Sequence, residues 1–277
     1  AHLHFYSKEG LQKNQIATVR IADSDEQIIR TFSTQPDKNS NELPLTVKKG
    51  INRLTWDMRH NGAETFDGLV LWGGGTGGPK AIPGNYTATL SIKRNKENEP
   101  ADNSTSIKTE FEILKDPRST ATQEDLNAQF DFLAGVRDKL SETHKAIKKL
   151  RDIKHQIDGF TKRLDEENDK HKRLIESSKS IVKSLTEAEE ALYQTKNQAP
   201  QDPLNYPIRL NNRLSALVSV VAGGDNRPTD QSFLVRDMLI KQIDGEIEKL
   251  NQIVDERVSD FNREVRDAQI PTIIVNK

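Results

Sequence analysis

The chain has 277 residues, 34% hydrophobic and 30% charged, with 41 Lys and Arg against 42 Asp and Glu for a formal net charge of -1. So even a balance supplies no basic field for nucleic acid or anionic lipid, and no apolar run reaches the length of a bilayer span, so neither nucleic acid nor a membrane is an expected partner. The absence of cysteine excludes disulfides, thiol nucleophiles and Cys-ligated metal sites.

The opening AHLHFYSKEG has no basic segment followed by an apolar one and no initiator Met, and it begins inside a strand-like stretch, the pattern expected of a C-terminal piece of a longer protein. Up to residue 116 the apolar period is near two. HLHFY, QIATVRIAD and IIRTFS read as strands, the last two a hairpin turned by SDEQ, with Ala17, Val19 and Ile21 on one face and Ile16, Thr18 and Arg20 on the other. ELPLTV (42–47), INRLTWDM (51–58), NYTATLSIKR (85–94) and STSIKTEFEIL (104–114) bring the total to about seven short strands, the number of an immunoglobulin-like sandwich.

Between two of these strands, LWGGGTGGPKAIPGNY (71–86) holds six of the chain's 15 glycines. Gly73, Gly75 and Gly78 satisfy G-x-G-x-x-G, but Pro79 and the Pro83-Gly84 break leave no helix N-terminus to meet a pyrophosphate. A P-loop fails as well, because Ala81 follows Lys80 where a hydroxyl is required. The loop from Gly73 to Gly78 reads as a mobile, ligand-free connection, with Pro83-Gly84 as the turn that launches the strand carrying Tyr86.

From residue 119 the period becomes helical. Thr122 with Asp125 forms a capping-box pattern, and Leu126, Phe130, Leu133, Leu140, Ile147, Leu150, Ile157, Phe160 and Leu164 predict one helix of about forty residues. DEENDKHKR (165–173) holds the turn into a second helix with the seam Leu174, Ile181, Leu185, Ala188 and Leu192. Pro200, Pro203 and Pro207 end it. A third helix carries Ile208, Leu214, Leu217 and Val221 to a Gly223-Gly224 cap, and a fourth starts at Thr229 with Phe233, Met238, Ile243, Ile247, Leu250, Val254, Val258, Phe261 and Val265 inward. The expected fold is α+β and multidomain: a sandwich over 1–118, an elongated antiparallel bundle of about four helices over 119–270, and a tail over 271–277.

TWDMRHNGAETFDG offers Asp57, Arg59, His60, Glu64 and Asp67, side chains a hydrolase uses, but no spacing sets two carboxylates in a cleft, and Trp56 is expected in the core. No catalytic residue is assigned, and no cofactor. His2 and His4 share a strand face without a third ligand, so no metal is expected. His144, His155 and His171, like the cations of HKAIKKLRDIKHQ, lie in charged helical runs and read as solvated. Trp72, beside the glycine loop, either lids its own sandwich or meets a sugar or a neighbouring domain. Trp56, Trp72 and Tyr86 together form the candidate set for carbohydrate or domain contact.

HLHFYSKEG, VRIADSDEQIIRTF, KGINRLTWDMRHNG, GPKAIPGNYTATLSI, ILKDPRSTATQEDLNAQFDF and LYQTKNQAPQDPLNYPIRLNNRLSALVSVV resemble the C-terminal region of sortilin-type (VPS10-like) BNR-repeat β-propeller proteins of Bacteroidetes-type bacteria, which carry a glycosyl hydrolase label. The resemblance implies a FlgD-like immunoglobulin-type module followed by helices, a secreted, periplasmic or cell-surface location, and upstream propellers as the partner. The chain has no Asp-box, S-x-D-x-G-x-T-W, and no propeller repeat, so no catalytic residue carries over. The function this implies is that of a non-catalytic accessory region supporting domain packing or protein interaction. A carbohydrate-binding module using Trp56, Trp72 and Tyr86, and an independent helical-bundle adaptor, are the alternatives.

Overall fold

The computed structural model describes residues 1–37, 41–94 and 105–270. The expected tail 271–277 lies outside the described residues.

The fold is α+β. Among the described residues seven strands come first: β1 (His2–Ser7), β2 (Gln15–Ala22), β3 (Ile28–Ser33), β4 (Leu43–Pro44), β5 (Gly50–Thr55), β6 (Gly84–Arg94) and β7 (Thr105–Ile113). They form a two-stranded sheet, β1-β5, and a five-stranded mixed sheet in the order β4-β3-β2-β6-β7. The β2–β3 hairpin forms as read, closed by Asp23, whose Oδ1 accepts from the amides of Asp25 at 3.0 Å and Gln27 at 2.9 Å. Alternation buries Ala17, Val19 and Ile21 with Ile29, Phe32, Leu45, Leu54, Trp56 and Tyr86 in one core. The strand expected over 42–47 shrinks to Leu43–Pro44, since Pro44 has no N–H to extend a ladder, and it runs parallel to β3. The strand expected to reach Met58 stops at Thr55. Beyond it Met58 adopts φ 58° and its carbonyl accepts from the Ala81 amide at 2.7 Å, while the His60 amide donates to Pro79 at 3.0 Å.

The helices follow: α1 (Gln123–Thr161), α2 (Asp169–Leu192), α3 (Leu210–Val221), α4 (Asp230–Gln252) and α5 (Ser259–Asp267). Thr122 and Asp125 close the α1 N-terminus reciprocally, the Asp125 amide donating to Thr122 Oγ1 at 3.2 Å and the Thr122 amide to Asp125 Oδ2 at 3.1 Å. Thr229 caps α4 as read, accepting from the Ser232 amide at 3.2 Å. The α2 seam is buried throughout. The fourth helix differs in two respects. A π-helical segment, Ile253–Val258, separates α4 from α5. Met238, expected inside, is exposed, and Leu239 takes the buried position in phase with Ile243 and Leu250.

Compactness partitions the chain differently from the change of period. One unit comprises Ala1–Ala63, Gly77–Arg137 and Val221–Pro228, and the other Glu64–Thr76, Asp138–Val220 and Thr229–Lys277. The segment Glu64–Thr76 thus belongs with helices, although strands flank it in sequence.

Gly78 sits in the first unit where a Cβ would lie 2.2 Å from the His60 carbonyl oxygen and 2.4 Å from that of Asn61, both immovable backbone atoms. Gly78→Ala is therefore expected to lower the unfolding free energy by about 1–3 kcal/mol. Gly75→Ala, which meets nothing within 4 Å, should stay within about 0.5 kcal/mol of the parent. Denaturant melts of both variants check the contrast.

Candidate functional site

The segment Glu64–Thr76 contains no helix or strand of its own, so its backbone groups need other partners. Side chains of α1 and α3, and that of Tyr193 directly after α2, supply them. Asn212 acts as a peptide mimic: its Oδ1 accepts from the Trp72 amide at 2.8 Å and its Nδ2 donates to the Trp72 carbonyl at 2.8 Å. Ser219 donates to the Gly73 carbonyl at 3.0 Å. Tyr193 donates its hydroxyl to the Gly68 carbonyl at 2.9 Å and accepts from the Val70 amide at 3.2 Å. Ser141 Oγ accepts from the Glu64 amide at 3.0 Å. The glycine run serves this approach. A Cβ on Gly74 would stand 2.0 Å from Ser215 Oγ and 2.9 Å from its backbone carbon, and Gly73 holds φ 65°. The expectation of a mobile connection is thereby corrected: Gly73 supplies a left-handed turn and Gly74 a contact surface against α3.

Beneath the segment lies a polar and aromatic cluster. His144, expected to be solvated, is 0% exposed. Its Nδ1–H donates to the Glu64 carbonyl, leaving Nε2 as an acceptor 3.4 Å from Asn211 Nδ2. Phe66 meets His144 and Tyr193 edge-on at 5.2 and 5.1 Å, and the Arg151 guanidinium lies over the Phe66 ring at 4.6 Å. Arg151 Nε also reaches Glu189 at 2.6 Å, joined on the other oxygen by Lys154 at 2.9 Å. Glu189 is buried, so this pair of cations compensates a carboxylate that would otherwise be costly to desolvate. Lys148 and Lys145 reach Glu64 at 2.8 and 3.5 Å. The cations of HKAIKKLRDIKHQ are thus partly engaged: on α1, positions 141, 144, 148 and 151 share one face, and that face holds the segment and the α2 carboxylate. The spacing of Ser141, His144, Lys148 and Arg151 was a readable signal, but nothing in it named the segment as the object.

The other candidates are placed as follows. Trp56 is 1% and Tyr86 4% exposed, with ring centres 6.0 Å apart at 61°. Buried edge-on rings cannot stack on a sugar, so the three-ring platform is corrected: of its members Trp72 alone, 42% exposed, presents a surface. Trp56 Nε1 donates to the Arg59 carbonyl at 3.0 Å and the Tyr86 hydroxyl to that of Ile82 at 2.7 Å, so both polar tips are satisfied inside. Asp57 accepts from the Arg59 amide at 3.1 Å and lies 3.8 Å from Arg30. Arg59 donates to the Gly78 carbonyl at 3.1 Å. Asp67 is exposed. His2 faces Thr55 at 3.2 Å and His4 stands opposite Arg53 in the β1–β5 register. His155 is exposed, whereas His171 accepts from the Asp165 amide at 3.0 Å. A cavity of about 290 Å³ in the strand-bearing unit is lined chiefly by Met58, Pro79, Ile82, Leu126, Phe130 and Leu133. Two of its polar edges, Lys115 and Gln129, are spent on backbone carbonyls, Gln129 Nε2 reaching that of Val221 at 2.8 Å. Among the described residues no group of three or more His, Asp or Glu converges as a metal site. No described helix is long and apolar enough to cross a membrane.

Two predictions arise from this geometry. Asn212→Asp replaces the donor facing the Trp72 carbonyl with an oxygen. It should cost about 1–3 kcal/mol, whereas Asn212→Gln, which keeps both donor and acceptor, should cost less; chemical denaturation gives both values. The second concerns pH. Burial pushes His60 down to about 4 from 6.5, with Arg137 adding to the effect, and burial also lowers His144. The hydrogen bond from Lys148 lowers Glu64 below 4.5. A depressed histidine stays neutral in the fold while the unfolded chain takes up a proton, so its stability contribution is present above pH 6.5 and is lost as pH falls toward about 4. Glu64 acts in the same direction below 4.5. Thermal midpoints should therefore fall steadily from pH 7 to about pH 4, and His144→Gln should flatten the upper part of that slope.

Compared with known families, with curated proteins and with solved structures, the chain finds no match.

Proposed function

We propose that this chain is a non-catalytic accessory region of a secreted, propeller-bearing, glycosyl-hydrolase-like protein, and that it packs against a neighbouring domain through Trp72. In this reading the two sheets form an immunoglobulin-like, FlgD-like sandwich and the helices an antiparallel bundle, as the resemblance in sequence implies. One observation carries the reading: the Trp72 ring is exposed while both polar groups of its backbone are clasped by Asn212 at 2.8 Å. An aromatic on a fixed backbone loses little conformational entropy on docking, which is the character of an interface anchor. The carboxylates of the hydrolase-like stretch support it in part. Asp57 and Glu64 are engaged internally, by Arg30 and by Lys145 and Lys148.

The adaptor reading retains an observation of its own. Leu234, Val235 and Met238 are exposed together on α4 at helical spacing, an apolar stripe of the kind that meets another protein.

Expression with the in-frame upstream domains tests the proposal. Trp72→Ala should leave the melting of this chain alone nearly unchanged but loosen the upstream domain, read as increased protease sensitivity, and the chain alone should hydrolyse no aryl glycoside. An upstream reading frame without propeller repeats would overturn the proposal, as would turnover that disappears in Asp57→Asn or Asp67→Asn.

A further inference from the structure

The two edges of the five-stranded sheet are unlike. At one edge β4 has two residues and one is Pro44, which cannot donate to an added strand. That edge is blunted against pairing. At the other, β7 runs nine residues, Thr105–Ile113, contains no proline or glycine, and pairs through one side only, with β6, among the described residues. Such an edge presents a row of free N–H and C=O groups. Its side chains are exposed from Thr105 to Glu110, including Ile107 at 66%.

The order of charges along β7 selects an occupant. Lys108 and Glu110 lie on one face, and Ile107, Thr109 and Phe111 on the other. When two β7 strands meet antiparallel about a two-fold axis through Thr109, Lys108 of each copy faces Glu110 of the other. Ile107 then faces Phe111, and Thr105 faces Ile113, so all nine positions find a partner. Moving the axis to Lys108 sets lysine against lysine, and moving it to Glu110 keeps two opposite pairs, Lys108 against Glu112, but adds a glutamate-on-glutamate pair that the Thr109 register lacks. Opposite charges across a pair stabilise and like charges destabilise, so one register is favoured over both neighbours. We propose that a second copy of this chain adds to the sheet through β7, making a continuous sheet with the two-fold axis at Thr109. The contact is isologous and closes on itself, which limits the assembly to a dimer. It would also cover Ile107, an apolar side chain that the single chain leaves to solvent.

The test uses the full chain. Sedimentation over a concentration series should show a monomer–dimer equilibrium. Lys108→Glu places two pairs of like charges across the axis and should raise the dissociation constant at least roughly tenfold. The double variant Lys108→Glu with Glu110→Lys restores both pairs in the opposite sense and should recover the dimer. Circular dichroism of each variant checks that the fold is intact. Because the chain has no cysteine, Thr109→Cys gives a background-free probe of the axis. Two Cα atoms facing each other lie about 4.5–5.5 Å apart, within disulfide reach, so copper-catalysed air oxidation should give a covalent dimer. Thr105→Cys, whose copies would stand roughly 26 Å apart, should not cross-link. A monomer at every concentration would overturn the proposal, as would a dimer indifferent to Lys108→Glu, or equal cross-linking at the two positions.

Discussion

A stretch of backbone that packs on helices without forming helix or strand must have its N–H and C=O groups satisfied by something else, and in this protein that requirement falls on Glu64–Thr76. The helices answer it with side chains. Asn212 presents to Trp72 the same donor and acceptor pair that an adjacent strand would, Tyr193 serves Gly68 and Val70, and Ser141 serves Glu64. This explains why amides, hydroxyls and a histidine occupy the inner faces of α1 and α3, where a helical core would ordinarily place leucine.

The consequence for chemistry is that residues resembling a reactive set are held in structural roles. His144 is fixed as one tautomer by the Glu64 carbonyl, and its burial disfavours the charged form. Glu64 is drawn to Lys145 and Lys148, and Glu189 is enclosed by Arg151 and Lys154. Among the large apolar side chains of the segment, that of Trp72 is left exposed. Structure and proposed function meet at that residue, since the clasp that satisfies its backbone also orients its side chain.

Much of the fold was legible because its signals are local. Period-two alternation marked β2 through Ala17, Val19 and Ile21, the Thr122–Asp125 box marked the start of α1, and the α2 seam was readable residue by residue. The errors came where a distant partner decides. His144 looks like any histidine in a charged helix until the Glu64 carbonyl is brought to it. The glycine run looks flexible until Ser215 approaches Gly74. Trp56 and Tyr86 were grouped with Trp72 by residue type, but alternation within the strands carried the first two inward. Met238 and Leu239 exchanged roles because adjacent apolar residues leave a helix's phase undecided by one position.

Native-state hydrogen exchange at the Val70 and Trp72 amides tests the central claim most directly, because a flexible connection and a clasped segment differ most at these two protons. The account predicts strong protection at both, with exchange governed by the same opening free energy as the core amides of α3, and a selective loss of Trp72 protection in Asn212→Ala. Exchange at the rate of an unstructured peptide, unaffected by Asn212→Ala, would contradict it.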